Sequence, residues 1–217
     1  MAIIAKSSGG SIERKIIPAG LHVARCYGMI EIGTVTETVM GEPKTAHKIL
    51  IDWELPLEKA VFSDEKGEQP FVFSKEFTLS MHEKSNLRSV LTSWRGKPFS
   101  DQEASQFDIT KLIGVPCMLN IVHRVSKDGS KTYATLAGVT PLAKGMVCPE
   151  PITPKRILSF DSWNQDLFMT LPNWLADKIT SSKEFTQQFG GSLPTFQPVA
   201  QAMVTPTKSI VEDEPPF

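Results

Sequence analysis

Five stretches of alternating apolar and polar residues, interrupted once by a capped helical segment, constrain this chain more than any single motif. After Pro18-Ala19-Gly20, the run from Gly20 to Thr36 sets Arg25, Tyr27 and Met29 against Ala24, Cys26 and Ile30, the two-residue period of a strand. Gly41-Glu42-Pro43 reads as a turn, and Ile49, Ile51, Trp53 and Leu55 then alternate with Lys48, Leu50, Asp52 and Glu54. The spacing predicts a hairpin. A polar loop, Phe62 to Glu68, leads to a third strand at Phe71 to Leu79, with Phe71, Phe73, Lys75 and Phe77 on one face. Ser80 followed by Glu83 has the spacing of a capping box, and Leu87, Val90, Leu91 and Trp94 recur at helical intervals before Gly96. Ser100 and Glu103 repeat the capping signal. Pro116 to Val125 alternates again, and Asp128-Gly129 supplies a tight turn into Lys131 to Val139.

The order β-β-β-α-β-β predicts a mainly β fold: a five-stranded OB-type Greek-key barrel with a helical insert between strands 3 and 4. An SH3-like barrel also has five strands but does not place a capped helix at that point. The barrel domain is expected at 15–148. Pro149, Pro151 and Pro154 then mark a linker, after which Pro172, Trp174, Leu175 and Ile179 predict a helix and Ser181 to Glu184 a further capped start ahead of Phe185 and Phe189. Gly190-Gly191 ends it. Residues 149–191 are therefore expected to form a helical extension packing on the barrel. From Ser192 the chain is rich in Pro, Thr, Gln and Ser, too poor in apolar residues to bury a core, and 192–217 is expected to be a flexible linker and acidic tail.

Composition narrows the function classes. The chain is 41% hydrophobic and 22% charged, within the ordinary range of folded domains. No apolar run reaches the roughly 18 residues a membrane helix needs, and Met1 to Gly10 lacks a signal-peptide layout, so the expectation is a cytoplasmic protein without membrane contact. Cys26, Cys117 and Cys148 lie far apart without ligand-pair spacing, which argues against zinc, and Cys26 and Cys117, within apolar strand-like segments, read as buried small side chains. Gly-x-x-x-x-Gly-Lys, Gly-x-Ser-x-Gly and HExxH patterns are absent, and His22, His47, His82 and His123 are scattered. No catalytic residue, metal or cofactor is expected.

A barrel of the OB type suggests an oligonucleotide groove, which needs cations for phosphates and rings for bases. A net charge of −1 counts against coating by basicity alone, less so once the acidic Glu212-Asp213-Glu214 is set apart from the near-neutral rest, so stacking must share the binding. Arg25 and Tyr27 on strand 1, Lys75 and Phe77 on strand 3, and Arg124, Lys127, Lys131 and Tyr133 around the last hairpin combine the two residue types and are the candidate DNA-binding residues. The rings of Trp53, Phe71, Phe73 and Phe77, on alternating strands, suit a core as well as a groove.

The chain ends Glu212-Asp213-Glu214-Pro215-Pro216-Phe217. A terminal ring and carboxylate beside acidic residues suit an apolar pocket rimmed by Arg or Lys on a partner, and these residues are the candidate partner-binding segment. The ending resembles the C-terminal tip of bacterial single-stranded DNA-binding proteins, with Glu in place of some Asp and Pro215 where an aliphatic residue is common. The body, in Pro18-Ala19-Gly20-Leu21-His22-Val23-Ala24-Arg25-Cys26-Tyr27 and in the Lys84 to Lys97 helix ending Trp94-Arg95-Gly96-Lys97, is similar to phage single-stranded DNA-binding proteins over roughly 15–190. The resemblance implies coating of displaced strands in the host cytoplasm during phage DNA replication or recombination, with replication or recombination proteins recruited through the tip. The alternatives are an adaptor whose barrel binds RNA or protein, and a metal-dependent nuclease of dispersed carboxylates.

Overall fold

In the computed structural model, which describes residues 15–191, an antiparallel sheet of five strands curls into a half-barrel. The strands are β1 (Gly20–Val39), β2 (Glu42–Ser63), β3 (Gly67–Thr78), β4 (Pro116–Val125) and β5 (Thr132–Thr140), side by side in the order β3-β2-β1-β4-β5. A short strand β6 (Arg156–Leu158) runs parallel to β1 beside Gly28–Ile30, where β4 has ended. Between β3 and β4 the chain forms α1 (Asn86–Arg95), α2 (Asp101–Ser105) and a 3₁₀ turn (Ile109–Leu112); beyond β6 lie α3 (Gln165–Met169), α4 (Asn173–Thr180) and α5 (Lys183–Phe189).

Strands β1 and β2 outrun their sequence expectations: β1 pairs with β2, β4 and β6, and β2 with β1 and β3. Register shifts at Cys26/Gly28 and Glu31/Gly33 bend β1 and change which residues face inward. Before the first shift Ala24 and Cys26 point into the barrel; after it Met29 does, while Ile30 and Ile32 point outward. Gly28 is required at the first bend, since a Cβ there would lie 2.6 Å from the Asp52 carboxylate.

These faces carry separate cores. Ala24, Cys26, Met29, Ile51, Trp53, Leu55, Phe73, Phe77, Cys117, Leu119 and Ile121 fill the inner one, and α1 closes it with Leu87, Leu91 and Trp94. Burying each of those helix side chains stabilises the fold by about 1.5–3 kcal/mol. On the outer face Ile30, Ile32, Val35 and Leu50 meet Leu158, Phe160, Phe168, Leu175, Ile179 and Phe185 of the C-terminal extension.

Three helix readings change. α1 starts at Asn86, capped by Ser85 rather than Ser80: Ser85 Oγ accepts from Arg88 N–H at 3.1 Å, while Ser80 Oγ takes the amide of His82 in a turn. In α4 Trp174 is exposed, because only Leu175 and Ile179 lie on the stripe that meets the sheet. In α5 the cap is Ser182, whose hydroxyl accepts from Phe185 N–H, and Glu184 reaches across to β1 instead of back to its own cap. The Ser100–Glu103 capping box forms as expected. Among the described residues no helix is long and apolar enough to cross a membrane.

Candidate nucleic-acid interface

β1 is antiparallel to both β2 and β4, so the β2–β3 and β4–β5 hairpins end on the same side of the sheet, where β1 begins. Between them runs a groove. One wall is Phe62 and Pro70 to Ser74, the other is Ala134 of β5, and Lys15 to Ile17 enter at its mouth. Phe62 is 51% exposed and meets Phe71 edge-on, ring centroids 5.0 Å apart, leaving one face open. By sequence Phe62 falls at the start of a polar loop. Its signal was the pair Val61-Phe62, two consecutive apolar residues that a two-residue period cannot both bury.

The β4–β5 hairpin gathers four of the eight candidates. Arg124 and Tyr133 are directly opposed across the strands, on the face away from Ala134, and Tyr133 is 47% exposed. Lys127 and Lys131 flank the turn and are exposed. The turn is locked by Asp128, which accepts from the hydroxyls of Ser126 at 2.5 Å and Ser130 at 2.7 Å and from Ser130 N–H at 3.2 Å. The Ser126 hydroxyl, with these other donors, holds the Asp128 carboxyl down to about 2. Among the described residues Arg124, Lys127 and Lys131 have no ion-pair partner.

Lys75 lies farther along the gap between β3 and β5. It lines a cleft with Phe77, Asn86, Ser89, Leu136 and Gly138, continuing into a polar recess that includes His82 and Lys84. Its ammonium sits 5.9 Å from the Phe77 ring centroid, but that ring is itself 4% exposed and packs edge-on against Trp53.

Arg25 and Tyr27 lie on the outer face under the 148–156 segment. The Arg25 guanidinium donates to the carbonyls of Gly114 and Cys148 at 2.8 Å and Pro149 at 3.3 Å, and pairs with Glu150 at 3.2 Å. Tyr27 is 3% exposed, beneath the Arg156 guanidinium. Burial first, then the Asp52 charge, pushes its hydroxyl well above the usual tyrosine range. Around them Asp52 accepts from Arg156 at 2.9 Å and from Ser74 at 2.5 Å, and Glu54 takes the amides of Ile152 and Thr153 at 2.9 and 2.7 Å. Both carboxylates are fully buried. This network fastens the linker to the sheet and leaves neither Arg25 nor Tyr27 an open face.

Cys26 and Cys117 are fully buried, and desolvation pushes the Cys26 thiol up to about 12. Among the described residues no cluster of three or more His, Cys, Asp or Glu side chains could hold a metal. The candidate tip Glu212, Asp213, Glu214, Pro215, Pro216 and Phe217 lies outside the described residues. The chain matches no protein-family model, and no curated protein matches it.

Proposed function

We propose that this protein binds single-stranded DNA without sequence preference, on an OB-type barrel opened between β3 and β5, as a phage strand-coating protein whose acidic tip recruits replication or recombination partners. One observation carries the reading. A groove open to solvent runs beside two hairpins that present exposed rings, Phe62 and Tyr133, together with Arg124, Lys127 and Lys131. Oligonucleotides on OB-type barrels lie across the strand 2–3 face and the loop between strands 4 and 5; in this chain the β2–β3 hairpin supplies one wall of that groove and the β4–β5 loop lies beside it. Exposed rings offer a face to any base, and cations without carboxylate partners are available to phosphates, so binding draws on stacking and counterion release together.

A single fluorescence titration tests it, with labelled oligo-dT competed by unlabelled DNA single strand, duplex and RNA. Strong preference for the DNA single strand, with affinity falling as salt rises, is expected. Equal or better competition by RNA would favour the adaptor reading, and no binding to any of the three would remove the proposal. Incubating the protein with labelled strand and Mg²⁺ or Mn²⁺ should leave the strand intact; cleavage would point to a nuclease.

A further inference from the structure

Where β6 ends at Leu158, β1 loses its neighbour on that edge while its own backbone continues to Val39. Side chains replace the missing strand. Glu184 of α5 accepts from Thr34 N–H at 2.5 Å and from the Thr34 hydroxyl at 2.6 Å. Glu31 of β1 accepts from Phe160 N–H at 2.9 Å, just past β6. His47 of β2 stands between the two carboxylates, its Nε2 2.8 Å from Glu31 and its Nδ1 3.5 Å from Glu184. One imidazole thus joins the start of the C-terminal extension, through Glu31, to its last helix, through Glu184. The fit depends on Gly33, where a Cβ would lie 2.7 Å from both the Glu184 carboxylate and the Ser182 hydroxyl.

We propose that His47 is a proton-operated latch: protonated, it bridges Glu31 and Glu184 and holds α5 on the edge of β1; neutral, it leaves two carboxylates facing each other across one ring and lets α5 detach. The charged groups facing His47 are Glu31 from β1 and Glu184 from α5, while the segment at Phe160 contributes an amide donor. Its neighbour on β2, Lys48, points to the other face, where Glu37 of β1, Glu76 of β3 and Lys178 of α4 form a separate network with it.

The directions of titration agree with that geometry. The Glu31 hydrogen bond holds His47 above its ordinary 6.5, and His47 in turn holds Glu31 below the usual carboxylate range. Burial pushes Glu184 up, and the Thr34 hydroxyl and amide more than offset it. A group whose folded value is raised contributes its full stability below the unfolded value and loses it as pH rises through the folded one. The latch therefore holds at 6.5 and in mildly acid solution below it, and opens as pH rises through the folded His47 value above 6.5.

The test is NMR on the full chain, following the His47 ring and the exchange protection of the Thr186 and Gly190 amides, which are bonded to the Ser182 and Thr186 carbonyls. Protection should fall along the His47 titration curve, about tenfold for each pH unit by which Glu184 raises the His47 titration point, the shift that Glu184→Gln removes. Protection of Leu119 and Ile121 in β4 should stay level over the same range. His47→Gln keeps a donor without the charge and should give low α5 protection that no longer depends on pH. Glu184→Gln serves as the second variant, lowering the His47 titration point and shrinking the pH-dependent fall. Flat α5 protection in the wild-type chain through the His47 titration would overturn the latch, as would either variant retaining the wild-type profile.

Discussion

Arg25 and Arg124 both sit on strands next to a ring, and their partners separate them. Arg25 is tied to three carbonyls and is 13% exposed, so Arg25→Ala should destabilise the fold by about 2–4 kcal/mol, read by urea denaturation, through buried acceptors left without a donor. Arg124 is exposed, and Arg124→Ala should leave stability within about 0.5 kcal/mol while weakening strand binding and flattening its salt slope. Phe62→Ala and Tyr133→Ala should each cost about 1–3 kcal/mol of binding if bases stack on them. Unchanged affinity in all three surface variants, with circular dichroism unaltered, would place the strand on another face. At this scale the sequence displayed residue types but not their company. Arg25, Tyr27 and Phe77 carry the right chemistry for a groove and spend it inside the protein.

The C-terminal extension is held on the sheet by an apolar face and by charges at its rim. Lys178 of α4 pairs with Glu37 and Glu76, and Glu184 of α5 bonds Thr34. The Lys178 and Lys48 ammonium groups hold the Glu37 carboxyl below its ordinary 4.5. Glu31 and Glu184 are lowered as well. Carboxylates depressed in the folded state contribute stability above the unfolded value and lose it as pH falls through the folded ones. Acid should therefore loosen the extension below 4.5, ahead of the inner barrel, whose described core cluster is apolar. The indole N–H of Trp163, bonded to Gln165 and ringed by Phe160, Phe168, Phe185 and Phe189, reports the event by NMR. Loss of that signal together with the β4 amides would show one cooperative unit instead. Gly33→Ala, at φ +89°, should release α5 at every pH by denying Glu184 its approach.

For the whole molecule, the outer core makes the extension part of the fold. Truncation after Cys148 would expose Ile30, Ile32, Val35 and Leu50 and should yield aggregated protein, whereas truncation before Glu212 should leave folding intact. Under the proposed function the second truncation keeps strand affinity equal or raises it at low salt, where an acidic tip and a cationic hairpin attract most strongly. It also abolishes partner capture. Identical partner sets from intact and truncated protein would make the ending an ordinary acidic terminus.

A mainly β fold with five antiparallel strands was legible in the chain itself, because a two-residue period and Gly or Asp-Gly turns are local properties; the sixth strand, β6, lies in a segment expected to be helical, and its parallel pairing with β1 was not legible. The Ser100 capping box and the Asp128-Gly129 turn formed where four to six residues sufficed to specify them. The division of the apolar residues into two cores could not be read locally. It depends on the bends in β1, which switch Met29 inward and Ile30 outward, and on a C-terminal segment returning to cover the face thus created. Asp52, Glu54 and Arg25 alternate as surface residues do, yet the returning linker buries both acids and most of the arginine against one another. Which side chains remain open to a ligand is decided by that long-range packing, since a residue's own period fixes its face but not what the rest of the chain lays over it.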